Sequence, residues 1–311
     1  MMNPRTQKVY ASQRAKMMSF LDIEDFNDAF FGHYNEKPLT DFLEAIENIN
    51  TRKNYYANVV SFLKNEAEDY PAKEDDIKKY RNKMLELCAV VNNQVKQQQK
   101  SPKQEENWFS INELQKMRKK MLNDLKDRTN LGWSDIQPFF VSSLYLADDK
   151  NPPIRNEYGD MVVVYEKDGI HTADTSRNYL VITGRNKKQF YLNDYKTAKT
   201  HGQKIFRVGN KLNKIINQFL KYHPISLVNT PEAPLLYNSK GDALTRNGLT
   251  KYLQNKVFNR DGKKISTAML RHIYISEKVQ MPLIKEKEEL ADKMCHSTTL
   301  QEHYKKENVE E

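Results

Sequence analysis

The stretch QVKQQQKSPKQEEN, residues 94–107, is polar, has no aromatic residue and contains Pro102. It reads as an interdomain linker into which the preceding helix runs. The apolar patterns on either side must therefore each close a core of their own. A length of 311 residues fits that division, at about 100–200 residues per domain. Hydrophobic residues make up 38%, enough for modest cores in a charge-rich chain. Lys and Arg number 50 against 41 Asp and Glu, a net charge of +9 that permits a polyanionic partner without requiring one. No apolar run approaches the roughly 18–20 residues of a membrane span. The opening MMNPRTQKVY lacks the apolar core of a signal peptide. Cys88 and Cys295 fall in different candidate domains, which argues against a structural disulfide and for a reducing compartment. The expectation is an intracellular protein with no membrane partner. With no Cys-x-x-Cys or His-x-x-x-His pair, no metal centre is expected.

Ahead of the linker, residues 1–36 carry a basic opening (Arg5, Lys8, Arg14, Lys16) and an aromatic patch (Phe26, Phe30, Phe31, Tyr34). They read as an N-terminal extension, either a helix packed on its neighbour or an arm for DNA or another subunit. Residues 37–100 then show three helical patterns. PLTDFLEAIENI opens on Pro38, with Thr40 or Asp41 as cap. TRKNYYANVVSFLKNEA aligns Tyr55, Val59, Phe62 and Leu63, and the long helix from Lys73 aligns Ile77, Tyr80, Met84, Leu87, Cys88 and Val91.

Residues 101–311 begin a new pattern at Trp108 and Phe109. Ser110 with Glu113 predicts a capping box for a helix whose buried stripe is Leu114, Met117, Met121, Leu122 and Leu125. A second buried helix covers 134–147. The pair Pro152-Pro153 predicts a helical turn with Arg155 in its first turn, an anion site. DMVVVYE, RNYLVIT and KKQFYLNDY are rich in β-branched and aromatic residues and read as strands. The predicted fold is mainly α with a small antiparallel β-sheet.

The chemistry concentrates at the end, in STAMLRHIYISEKV and KMCHSTTLQEHYKK. The first sets Arg271 and His272 on an apolar-striped helix with Met269, Leu270, Ile273 and Tyr274. The second sets His296 ahead of Tyr304, with Ser, Thr and Gln between. These residue types suit phosphodiester exchange through a protein-bound intermediate. Guanidinium matches two phosphate oxygens at once and keeps its charge. Imidazole donates to another oxygen, and a phenol can attack phosphorus and later leave.

This end resembles the catalytic domain of the tyrosine recombinases, the phage-integrase family, and within it the integrases of virophages, giant DNA viruses and Polinton-like elements. That family shows an Arg-His pair opening a helix, a Gly-His-Ser segment, and the nucleophilic Tyr eight or nine residues on; here the counterparts are LRHIY, CHSTT and Tyr304. Two departures stand out, Cys295 for Gly and Ala268 where the family often carries a histidine three residues before the arginine. The resemblance implies a helical core-binding (SAM-like) domain at 37–100 and an α+β catalytic domain at 101–311, joined so that they close on a duplex as a clamp. It implies Arg155, Arg271 and His296 on the phosphate, Tyr304 as nucleophile, and Glu157 or Asp160 orienting Arg155. Lys196 is the general acid, with Lys199 the alternative. His272 would brace the site and His303 could assist the nucleophile beside it. For DNA contact the candidates are Arg52 and Lys53, within a Thr51–Tyr55 face, and Lys240, Thr245, Arg246 and Lys251; ordinary solvated positions remain the other reading. The implied partner is double-stranded DNA, bound by a homotetramer, with no cofactor and no metal. The implied activity is site-specific strand exchange through a 3′-phosphotyrosyl intermediate. A DNA-binding descendant without catalysis, for which Ala268 is the motive, and a type IB topoisomerase-like enzyme are the alternatives.

Overall fold

The computed structural model describes residues 4–30, 36–96, 100–166, 174–225, 232–278 and 284–304. They form two compact units, Met1–Gln97 and Gln98–Glu311. Phe31 and Tyr34, and the KKENVEE end after Tyr304, lie outside the described residues.

The first unit is helical: α1 (Pro4–Leu21), a 3-10 turn (Phe26–Ala29), α2 (Glu36–Glu44), α3 (Ile49–Asn65) and α4 (Lys73–Lys96). Of the two readings of residues 1–36, the helix packed on its neighbour is the one seen, and it joins this unit's core. Met17, Leu21 and Phe26 bury together with Leu39, Leu43, Val59, Leu63 and Tyr80. A buried polar group adds a reason. Asn58 on α3 donates to the Tyr10 carbonyl at 2.9 Å and accepts from Arg14 Nε at 3.0 Å. Without α1 that amide would be buried unpaired, at a cost of about 1–3 kcal/mol. Arg14 also pairs with Glu66, so this cation is committed inside the unit. Tyr55 is buried with Val59, Phe62 and Leu63, as their helical spacing predicts, its ring 5.6 Å from that of Phe42, so it is not on the DNA-facing surface that the resemblance implies. Arg52 fastens the α2–α3 connection, binding the Ile46 carbonyl at 2.8 Å and Glu44 at 3.0 Å.

The second unit opens with α5 (Pro102–Glu106), so five residues of the expected linker form a short helix with a Ser101–Gln104 capping box. Then come α6 (Ile111–Lys126), whose Ser110–Glu113 capping box forms as read from the sequence, and α7 (Trp133–Leu146). The sheet follows as β1 (Val162–Tyr165), β2 (Tyr179–Gly184), β3 (Lys187–Leu192), β4 (Lys204–Arg207) and β5 (Glu232–Pro234), with α8 (Ala198–His201) before β4 and α9 (Asn210–Phe219) after it. The helices α10 (Arg246–Tyr252), α11 (Thr267–Lys278), α12 (Ile284–Lys293) and α13 (Thr298–Glu302) complete the described chain. The whole is mostly helical with one small sheet.

That sheet is mixed rather than antiparallel. Its order is β4-β3-β2-β1-β5, and β1 runs parallel to β2 while the other neighbours are antiparallel. The apolar runs MVVV and YLVI fit strands buried on both faces, as parallel strands usually are. Val163, Leu180 and Phe190 face the main core, and Val162, Val164 and Val181 form a cluster on the other face. In the main core α7 is the central helix, with Phe140 stacked on Phe219 of α9 at 3.8 Å.

Between α7 and β1 the residues Pro152–Ile154 are buried and non-helical, and Arg155 leads a turn closed by Gly159 N donating to the Asn156 carbonyl at 2.9 Å. The expected helical turn is absent, because a residue before proline is driven from the α region. Side chains hold this loop instead. Asn151 bridges the Arg207 carbonyl and Gly209 N, and the Tyr145 hydroxyl donates to the Arg155 carbonyl at 3.0 Å. Gly159 lies so close to the start of α10 that a Cβ would sit 2.8 Å from the Thr245 carbonyl oxygen and from Arg246 Cα. Gly159→Ala is therefore expected to destabilise the protein by about 1–3 kcal/mol, the usual cost of overpacking. The thermal midpoint checks it, and an unshifted melt would contradict the contact.

Candidate active site

Four of the predicted residues meet, from segments far apart in the chain. Arg155, in the loop before β1, donates from Nη2 to the Tyr304 hydroxyl at 3.1 Å and from Nη1 to the Cys295 carbonyl at 3.2 Å. Arg271, on α11, lies under the Tyr304 ring with its guanidinium carbon 4.2 Å from the centroid, a cation–π geometry. His296, between α12 and α13, sets its ring 5.3 Å from that of Tyr304. Tyr304 follows α13, whose N-cap is Ser297, accepting from Leu300 N.

Burial makes this pocket electrostatically demanding. Arg271 is 1% exposed and His296 4% exposed. Arg271 Nε and Nη2 have no hydrogen-bond partner among the described residues, and neither has His296 Nε2. Desolvation holds the Arg271 pKa below its ordinary value, the Tyr304 phenol opposes this, and Arg155 adds to it. Glu157 is also buried, and burial raises its pKa against the pull of Arg155, Arg246 and Arg271. Unsatisfied buried donors beside excess positive charge form a receptor for an anion.

His296 is tuned the same way. Its Nδ1 is 2.9 Å from the Ser297 carbonyl, which can only accept, so Nδ1 carries the hydrogen and neutral Nε2 presents a lone pair. Burial pushes its pKa down to about 4, partly offset by the Ser297 bond and reinforced by Arg271 and Arg155. At neutral pH the ring accepts rather than donates; an anion beside it would restore the proton. An unfolded histidine titrates near about 6.5. Below that value the unfolded chain binds a proton that the folded one does not, so stability falls with falling pH. Between pH 7 and pH 5 the wild type should lose about 2 kcal/mol more than His296→Asn. Denaturant titration at the two pH values measures this, and equal losses would refute the neutral, buried ring.

The segment before His296 shows why glycine suits it. Cys295 has φ of 55°, the left-handed region that disfavours side chains. That turn aims the Cys295 carbonyl at Arg155 and at Thr197 Oγ1, 3.3 Å away. The thiol is buried and its pKa pushed up to about 12, so it is unreactive.

No family model matches the chain, and no curated protein matches it.

The remaining candidates stand differently. Lys196 and Lys199 are exposed on the turn and short helix between β3 and β4, and neither bonds to the four converging residues; Thr197 brings their turn to the Cys295 carbonyl. Asp160 does not orient Arg155. It pairs with Arg246 at 2.7 Å, and Asp194 holds the same guanidinium at 2.9 Å, so Arg246 braces the loop against α10 rather than standing free. Thr245 caps α10, accepting from Gly248 N at 3.0 Å. Lys240 and Lys251 are exposed, and Lys53 is half-buried. His303 is exposed at the end of α13, while His272 contacts Tyr304, with ring centroids 4.9 Å apart. Two residues escaped the sequence reading. Ser276, one helical turn beyond His272, reaches the Tyr304 carbonyl at 3.4 Å. Gln301 is buried with neither side-chain polar atom bonded among the described residues. Helical spacing from His272 and from Tyr304 was the available signal for both. Among the described residues no group of three or more His, Cys, Asp or Glu could hold a metal ion, and no helix is long and apolar enough to cross a membrane.

Proposed function

We propose that this protein is a tyrosine recombinase that cleaves and rejoins double-stranded DNA through a 3′-phosphotyrosyl intermediate. The observation that carries the reading is Tyr304, its hydroxyl 3.1 Å from Arg155, its ring over the guanidinium of Arg271 and 5.3 Å from the ring of His296, whose Nε2 is unpartnered among the described residues. In the proposed reaction a DNA phosphate enters between the two arginines and His296. Negative charge grows on its non-bridging oxygens, and each preorganised donor aimed there is worth about 100–1000-fold in rate. The Tyr304 hydroxyl gives its proton to the neutral Nε2 of His296, and its oxygen bonds to phosphorus as the bond to the 5′ oxygen breaks. Lys196, or Lys199 on the same turn, gives that oxygen a proton. The phosphotyrosyl ester keeps the bond energy, and attack by a 5′-hydroxyl reverses the steps to join strands. Exchange between two duplexes calls for a homotetramer.

One observation favours a second reading, a DNA-binding protein without catalysis. Ala268 is exposed one helical turn before Arg271, where the resembling family often has histidine, and alanine offers no group to a phosphate. A nicked suicide duplex separates the possibilities. A covalent protein–DNA adduct supports the recombinase. Salt-sensitive binding with no adduct supports the binding protein. Relaxation of arbitrary supercoiled plasmid points to a topoisomerase, and absence of DNA binding overturns all three.

A further inference from the structure

We propose that His272, assisted by Ser276, is a positioning residue that grips the backbone of Tyr304 and so sets the tyrosine hydroxyl in the arginine pocket; this rests on the strand-transfer reading above. His272 Nδ1 lies 3.1 Å from the Tyr304 carbonyl oxygen. A carbonyl only accepts, so Nδ1 carries the hydrogen and donates it. The two rings meet edge to face at 80°, so the imidazole touches both the backbone and the ring of the same residue. Ser276 stands four residues on, on the same face of α11, and its hydroxyl is 3.4 Å from the same oxygen, a longer and weaker contact.

The grip matters because, among the described residues, few other bonds reach this backbone. α13 is five residues long, and Tyr304 N closes onto it through one bond, to the Gln301 carbonyl at 3.0 Å. So short a helix is marginal by itself. A loose tyrosine would reach the reacting geometry rarely, and a misplacement of about 1 Å can cost about 100-fold in rate. Arg271 and His272 are consecutive on one rigid helix, about 100° apart around it. Arg271 underlies the Tyr304 ring while His272 holds its carbonyl. One element therefore fixes the phosphate-binding guanidinium and the attacking residue relative to each other.

Two variants test this. His272→Phe keeps the ring contact and removes the donor; His272→Asn returns an N–H close to the place of Nδ1. On a nicked suicide duplex at saturating protein, His272→Phe should form adduct about 10–100-fold more slowly than wild type at unchanged DNA affinity. His272→Asn should recover to within a few-fold. Wild-type speed in His272→Phe overturns the proposal, as does an Asn variant as slow as the Phe variant. Amide hydrogen exchange across residues 297–304 of the free proteins reads the grip without any reaction. Exchange there should quicken in His272→Phe and slow again in His272→Asn, and equal exchange in all three proteins overturns the proposal. If wild type forms no adduct, the strand-transfer reading fails, and the exchange result still decides whether His272 holds Tyr304.

Discussion

Tyr304→Phe is expected to bind duplex DNA as wild type does and to form no covalent adduct with it. The substitution is unusually clean. Phenylalanine keeps the ring over Arg271 and its edge contacts with His272 and His296. It removes one oxygen, the acceptor of the 3.1 Å bond from Arg155. Arg155 retains its bond to the Cys295 carbonyl, so the folded state should lose no more than about 1 kcal/mol, the net worth of one hydrogen bond. Thermal melts check that part, and a suicide substrate followed by denaturing electrophoresis checks the chemistry. An adduct that survives the substitution would name another nucleophile. A protein that fails to fold would make the hydroxyl structural instead.

Arg271→Met should slow adduct formation by about 100–1000-fold while leaving the protein at least as stable as wild type. The two effects have one cause. Arg271 is buried beside a second guanidinium and pairs with no carboxylate among the described residues, so its charge is desolvated without full return. Replacing a buried charge by an apolar side chain of similar volume is often neutral or stabilising. Against that stands the loss of the contact with the Tyr304 ring, about 0.5–2 kcal/mol. For phosphate binding the same charge is the asset, because an arriving anion meets donors already stripped of water. Arg271→Lys should also be slow, since an ammonium lacks the fork that matches two oxygens. Calorimetry beside the adduct assay decides. A variant that unfolds would show that Arg271 serves the fold, and one that reacts at wild-type speed would remove it from the reaction.

Both expectations start from a free protein in which the four residues already meet. Arg155 reaches the Tyr304 hydroxyl, Arg271 supports its ring, and burial favours the neutral form of His296. A phosphate entering this site must displace the Arg155–Tyr304 bond. In return it satisfies Arg271 Nε and Nη2 and a reprotonated His296. In the proposed reaction, that exchange would couple substrate entry to release of the tyrosine oxygen.

Much of this was legible along the chain. Helical periodicity located α3, α4 and α6, because one buried stripe per helix is written at 3.6-residue spacing. Ser110 and Glu113 marked the start of α6, since a cap is a local interaction. The order Arg155, Arg271, His296, Tyr304 marked the candidate site through its resemblance to the tyrosine recombinases. Other features depend on distant partners. The parallel pairing of β1 with β2 leaves no local sign beyond an apolar run. Arg246 and Arg52 look like free cations in the sequence, and only folding brings Asp160, Asp194 and Glu44 to them. By itself the sequence determined which groups are present and which face of each helix is apolar, since both follow from neighbouring residues. The tertiary structure alone decided which charges are neutralised and which stay unpaired around Tyr304, because that depends on distances between segments more than a hundred residues apart, such as Arg155 and Tyr304.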